Sequence, residues 1–491
     1  MMLQNHKKLD ILFVFKLGNF IMFLSIEDTL NYIKKNAINF IDLRFTDSNG
    51  KWHHITRSAE TINAQVLLAG VNFDSSSIPG WQSIEKSDMI LLPDVSTAFM
   101  DPFSAQSTLV ILCNIVDPYK QSQYSKDPRY IAQKAYKYML STGIADKCYF
   151  GPEVEFFIFD NAQFYAGMYN SYFKIDSAEH DILFQKREFS NNSHRPKVKG
   201  GYMPTPPIDS LHDIRSEMLT MFKEVGIIPL IHHHEVAASQ CEVGFQHDEL
   251  LLSADNVQKC KYIVHGVASS YGKTATFMPK PVIKDNGSGM HCHQSLWKDN
   301  VNIFVNPDGS ISETCLYYIG GIIKYGKAIN AFTNPSTNSY KRLVPHFEAP
   351  TWLTYSYENR SSAIRIPYVP KNDLNAKRIE ARFPDPLANP YLCFSAQLMA
   401  GLYGIQNKIH PGPAIDKNLY SLDKEELQQF TSVASSLEEA LDSLDNNREF
   451  LLVGDVFTND QIDAYINLKM LEVKDLQLHP HPIEFINYYS S

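Results

Sequence analysis

The chain has 491 residues, 44% of them hydrophobic and 12% aromatic, with a formal charge of −9. A chain this long and apolar can bury a sizeable core, which excludes disordered, collagen-like and coiled-coil classes. The acidic balance excludes a dedicated nucleic-acid binder, whose surface must be basic to meet phosphates.

In chain order, residues 9–24 are apolar behind His6-Lys7-Lys8. Lys16 breaks the run and no small-residue cleavage site follows, so neither a signal peptide nor a membrane span is expected. Residues 1–24 read as an extension, with Met22 as an alternative start. A helix is expected over 26–35. A strand over 39–45, a turn at Asp47-Ser48-Asn49-Gly50 and a return strand from Trp52 make a hairpin. Residues 74–80 form a small polar loop, and Leu91, Leu92 and residues 110–115 lie in further strands. The polar stretch 120–128 marks a boundary between a first domain, 25–125, and a second, 126–491. The second opens with a helix over 130–140 and then mixes helices (214–224, 316–332, 390–407) with strands. Residues 168–201 form a polar, glycine-punctuated excursion.

Seven scattered cysteines (Cys113, Cys148, Cys241, Cys260, Cys292, Cys315, Cys393) contain no CxxC pair. Neither a disulfide framework nor a zinc knuckle is expected, and a cytoplasmic location fits.

Four segments carry chemistry. In Gly151-Pro152-Glu153-Val154-Glu155-Phe156 a strand would put Glu153 and Glu155 on one face and Val154 and Phe156 on the other. Carboxylates two residues apart sit roughly 7 Å apart and repel by about 2 kcal/mol at an effective dielectric of about 20. An apolar flank removes the screening water, so a cation or a shared proton must relieve the pair, and the half-buried strand favours the cation. His232-His233-His234-Glu235, followed by Glu242, is the second segment. The third runs from Asn286-Gly287 through His291 and His293, which share a strand face while Cys292 points away. In the fourth, Arg378, Glu380 and Arg382 share a face.

Four such strands make a curved sheet with a charged concave wall. Carboxylates outnumber histidines, which selects Mg2+ or Mn2+ over softer metals, and the paired ligands point to two ions. Arg342, Arg360 and Arg365 add guanidinium groups suited to phosphate or carboxylate. Metals with arginines read as phosphoryl transfer. Gly272-Lys273-Thr274 is not a Walker A end, because Val267 stands where that motif needs glycine.

These segments resemble type I glutamine synthetase over nearly the whole chain. The markers include Phe73-Asp74, Gly151-Pro152-Glu153, His232-His233-His234-Glu235, the run 273–281, the run 286–293, Asn338-Ser339-Tyr340-Lys341-Arg342 and Arg378-Ile379-Glu380 with Arg382-Phe383-Pro384-Asp385. The resemblance implies an α+β fold: a small β-grasp domain, then a larger catalytic domain with a curved antiparallel sheet flanked by helices. It implies a homo-dodecamer of two hexameric rings with active sites between neighbours. One metal would be held by Glu155, Glu235 and Glu242, the other by Glu153, His291 and Glu380. Glutamate would be bound by Asn286, Gly287, Arg342 and Arg382. ATP would meet Arg360 and Arg365, with His293 and Ser295 near the nucleotide. Asp74 of an adjacent subunit would bind and deprotonate ammonium, and Glu348 would close over a γ-glutamyl phosphate. The segment 417–422 resembles the site at which one subclass is adenylylated, so Tyr420 and an adenylyltransferase partner are expected. The chain departs from the family pattern at Ser75, at His346-Phe347 and at Gln240-Cys241. A γ-glutamyl-amine ligase and a non-catalytic relative are the alternatives.

Overall fold

The computed structural model describes residues 25–180 and 193–490. The extension 1–24 and part of the excursion lie outside the described residues.

The helix Ile26–Lys35 starts on Ser25, whose hydroxyl accepts from the Asp28 amide, and carries Glu27 and Asp28 in its first turn, as its dipole favours. It leads into a seven-stranded sheet. Phe40–Thr46 pairs antiparallel with Trp52–Ser58 through the expected hairpin and parallel with Thr108–Asp117. Asp88–Pro93 and Val71–Asp74 complete the order. Ile41, Leu43, Phe45, Leu109 and Ile111 fill the core of this unit. The opposite face of Phe40–Thr46 is also buried, although it is polar. Arg44 on that face pairs with Asp42 and Asp101 and lies over Tyr262 of the second unit, at 4.1 Å. A polar alternation that would normally face water is here an inter-unit contact.

The second unit is built on a ten-stranded, largely antiparallel sheet. Its main path runs Pro229–His234, Gln240–Phe245, Lys147–Phe159, Met290–Lys298, Ile379–Ala381, Ile364–Ile366 and Tyr355–Tyr357. The face bearing Val154, Phe156 and Cys292 packs on helices Pro128–Thr142, Leu250–Ser270 and Pro390–Gln406. Phe150 stacks on Phe394 with centroids 4.7 Å apart. Pro390–Gln406 is apolar on almost all sides because almost all of it is buried.

Two expectations change. The helix expected over 316–332 is two helices, Glu313–Lys324 and Gly326–Thr333. The break falls where the backbone meets Leu353: a Cβ on Gly326 would lie 2.4 Å from its side chain. The start of the polar excursion is ordered as the strand Ser171–Asp176, which forms a hairpin with Asn161–Ala166 just before it.

Candidate active site

Strand register writes the site. His233 stands opposite Glu242, and Glu242 opposite Glu155. Glu153 stands opposite His291, and His293 opposite Glu380. Glu380 in turn faces Arg365. Because side chains alternate along each strand, this register turns the ionisable residues of six strands onto one wall. Glu235 is the exception: the strand ends at His234, and Glu235 sits in the turn that leads back to Gln240.

The wall lines a cavity of about 930 Å³ that also touches Asn286, Gly287, Arg342, Glu348, Arg360, Arg382 and Tyr420. A second cavity of about 280 Å³ shares Glu153 and Ile231 with it and holds His293, Ser295, Arg378 and Trp297.

Two groups of donors converge. Ligand atoms of Glu153, His293 and Glu380 lie within 4.8 Å of one another, as do those of His233, Glu235 and Glu242. His291 stands between the groups, 3.3 Å from Glu153, 3.6 Å from Glu380 and 3.8 Å from Glu155. Glu155 Oε2 accepts the Gly289 amide at 2.9 Å and the Gln240 side-chain amide at 3.0 Å.

The electrostatics of the two groups differ. Burial, then the charges of Glu235 and Glu242, push Glu155 well above the usual carboxylate range. Burial and Glu242 push Glu235 up to about 7. Glu153 is held well below its ordinary value despite burial, because His291 and His293 hydrogen-bond to it. Burial opposes ionisation of Glu380 too, but Arg382 and the two histidines bring it down to about 2. Arg365 Nη1 approaches Glu380 Oε2 at 2.5 Å, and Arg382 bonds the other oxygen. Carboxylates forced toward neutrality by their own neighbours are a site short of positive charge. Oxygen and imidazole donors, with the Cys292 thiol turned into the core, suit hard divalent cations.

The arginines separate by role. Arg342 is 3% exposed and donates to the carbonyls of Arg382, Phe383 and Pro384 at 2.8–3.2 Å. Arg382 keeps a buried Nε with no hydrogen-bond partner among the described residues. Arg365 is turned to Glu380 and the Glu358 carbonyl and is on the wall of neither cavity. Arg378, expected on the same face as Glu380 and Arg382 but without an assigned role, donates from Nε to His293 Nδ1 at 3.0 Å. Gly287 is required as glycine: a Cβ there would lie 2.4 Å from the Pro279 carbonyl oxygen.

Asp74 lies at the exposed end of Val71–Asp74, accepting from Ser76, and lines neither cavity. Glu348 does line the main cavity, on a segment where His346 and Glu348 both take positive φ, 70° and 60°. Tyr420, expected as an adenylylation site, is half-buried on the cavity wall and donates to the Ala349 carbonyl at 3.2 Å.

The sequence assigned no role to His233, Gln240, Lys199 or Tyr202, all of which line the main cavity. A signal existed for His233: it lies two residues before Glu235 in a strand-like run. For the others only the fold supplies one.

Matches to known proteins follow the same division of the chain. A family model described as the glutamine synthetase β-grasp domain matches residues 37–118, and one described as the glutamine synthetase catalytic domain matches residues 125–488. The chain is 54% identical to glutamine synthetase of Rhizobium meliloti over 94% of its own length and 99% of that protein. It is equally similar to that of Escherichia coli K12, over 95% and 100%. A cryo-EM structure of Plasmodium falciparum glutamine synthetase superposes with a TM-score of 0.88 at 32% identity, covering 96% of this chain and all of that one. With its β-grasp unit, its curved sheet and its acidic wall in place, the chain belongs to the glutamine synthetase family and to its type I branch.

Proposed function

We propose that this protein is an ATP-dependent glutamate–ammonia ligase that forms L-glutamine through γ-glutamyl phosphate. The observation that carries the reading is the acidic wall, short of positive charge, with Arg342, Arg360 and Arg382 around the same cavity. Members of this family use ATP and divalent metals, and two Mg2+ or Mn2+ ions fit the two donor groups. One ion would be held by Glu155, Glu235 and Glu242 with His233 beside them, the other by Glu153, His291 and Glu380 with His293 beside them. When bound, such cations draw negative charge off the phosphoryl oxygens and orient the transfer.

The residues of the chain do the rest. Arg382, Asn286 and Gly287 hold glutamate, and Arg342 braces the backbone of Arg382 through three carbonyls. His293, Ser295 and Arg378 border the nucleotide in the smaller cavity. Arg365 acts through Glu380. The γ-carboxylate oxygen forms a bond to the γ-phosphorus of ATP, the bond to ADP breaks, and Arg360 offsets the charge that develops. Asp74 of a neighbouring subunit takes a proton from ammonium. The nitrogen lone pair then attacks the acyl carbon, phosphate leaves, and Glu348 bars water from the intermediate.

The site is therefore completed in a homo-oligomer, a dodecamer of two hexameric rings by resemblance. The β-grasp domain is taken as 25–125 and the catalytic domain as 126–491, with 1–24 an extension. All seven cysteines are free and buried, which supports a cytoplasmic location. No helix among the described residues is long and apolar enough to cross a membrane. Adenylylation of Tyr420 is part of the reading, and incubation with an adenylyltransferase should add one adenylyl group there.

Glutamine formation measured with ATP, glutamate and either ammonium or putrescine tests the function. Turnover with ammonium is expected; turnover with the organic amine alone would overturn it.

A further inference from the structure

Every expected metal-binding carboxylate and histidine is fixed by strand register except Glu235. Glu153, Glu155, Glu242, His291, His293 and Glu380 lie inside strands, whereas Glu235 lies one residue past the end of Pro229–His234. A side chain on a turn needs another anchor to hold ligand geometry.

The anchor comes from the polar excursion. Glu179, 3% exposed, follows the hairpin strand Ser171–Asp176 and reaches behind the turn. Its Oε2 accepts the Ser239 amide at 2.6 Å and faces His234 Nε2 at 2.8 Å. Its Oε1 accepts the Ser210 hydroxyl at 2.7 Å and the Ser210 amide at 3.3 Å. His234 is fully buried, and its Nδ1 faces the Glu235 carbonyl oxygen at 2.6 Å. The chain of contacts thus runs from Glu179 through the His234 ring to the backbone of Glu235. Ser239, at φ 66°, is tied a second time through its hydroxyl to Ser177 at 2.5 Å. Gly201 seals the other side: a Cβ there would lie 2.7 Å from the Glu235 carbonyl oxygen and 2.8 Å from the His234 ring.

A buried carboxylate–histidine pair adds little stability over apolar residues of the same volume. Supporting groups behind a metal ligand, by contrast, commonly govern its affinity and orientation. We propose that Glu179 is a positioning residue for one of the two cation sites, fixing Glu235 through His234 and the Ser239 turn. This rests on the reading that the wall holds divalent cations.

The test is a titration of purified full-length protein with Mn2+ alone, following free Mn2+ by electron paramagnetic resonance. The wild type is expected to bind two ions per chain. Glu179→Ala should weaken one of them by about 10- to 100-fold and leave the other within about threefold. A purely structural role would weaken both together, so parallel loss at the two sites overturns the proposal, as does wild-type affinity at both. If Glu179→Ala is insoluble, Ser210→Ala, which removes one hydrogen bond to Glu179, should weaken the same single site several-fold, and no selective change would again overturn it. A wild-type protein that binds no Mn2+ would instead refute the metal reading itself.

Discussion

Glu242 is the cross-strand neighbour of Glu155, so two carboxylates face the same cavity at one level of the sheet. Burial, and then the charges of Glu235 and Glu242, raise the cost of ionising Glu155. Replacing either by glutamine should therefore act in opposite directions on two measurements. In chelated protein, Glu242→Gln should raise the melting temperature by a few degrees, by relieving repulsion. In the presence of Mn2+ it should weaken binding at that site by at least about tenfold, since an amide is a far poorer ligand than a carboxylate. A calorimetric scan with and without metal reads both.

The same repulsion gives a pH dependence. Glu155 and Glu235 have raised values in the folded chain, Glu235 up to about 7 against an ordinary 4.5. The metal-free folded state therefore keeps protons between those values that the unfolded chain has released. Its contribution to stability is present below pH 4.5 and is lost as the pH rises through about 7. Melting of chelated protein should fall across that window. Mn2+ affinity should climb over the same range, by up to about tenfold per pH unit for each proton displaced.

Phe347 fastens the segment that carries Glu348. Its ring centre lies 4.0 Å from the ammonium groups of both Lys199 and Lys280, and Lys199 also donates to the His346 carbonyl at 2.8 Å. Cation–π contacts of this kind are worth about 0.5–2 kcal/mol each. Phe347→Leu should loosen the segment and let water reach the acyl phosphate. The expected result is phosphate release exceeding glutamine formation several-fold, with near-equal amounts in wild type and in Phe347→Tyr. Matched release in Phe347→Leu would remove this role.

Asp74 is exposed and lines neither cavity of its own chain. Asp74→Asn and Glu380→Ala should each be inactive alone. Co-refolded at equal amounts, they should regain about a quarter of wild-type activity, because sites shared between neighbours recombine statistically. Failure to regain activity, with assembly intact, would place the ammonium site within one chain.

Much of the catalytic chemistry was legible in local sequence because strands impose a period of two: Glu153 with Glu155, His291 with His293, and Glu380 with Arg382 each declare a shared face. Helix limits at 26–35 were equally local, set by Ser25 and the charges at each end. What no window of sequence contained was the order of strands. Pairing Glu155 with Glu242, or His293 with Glu380, joins segments more than 80 residues apart, and only backbone hydrogen bonding across the sheet selects those partners. For the same reason spacing identified the arginines only as a class, their roles were expected from the resemblance alone, and the fold supplied their contacts: Arg342 faces backbone carbonyls, Arg365 a carboxylate and Arg378 a histidine. Residue types and their spacing were enough to determine an acidic, arginine-rich wall. Which side chains meet there, and which of them hold the others in place, depended on tertiary packing, because contact distances arise only once distant strands lie side by side.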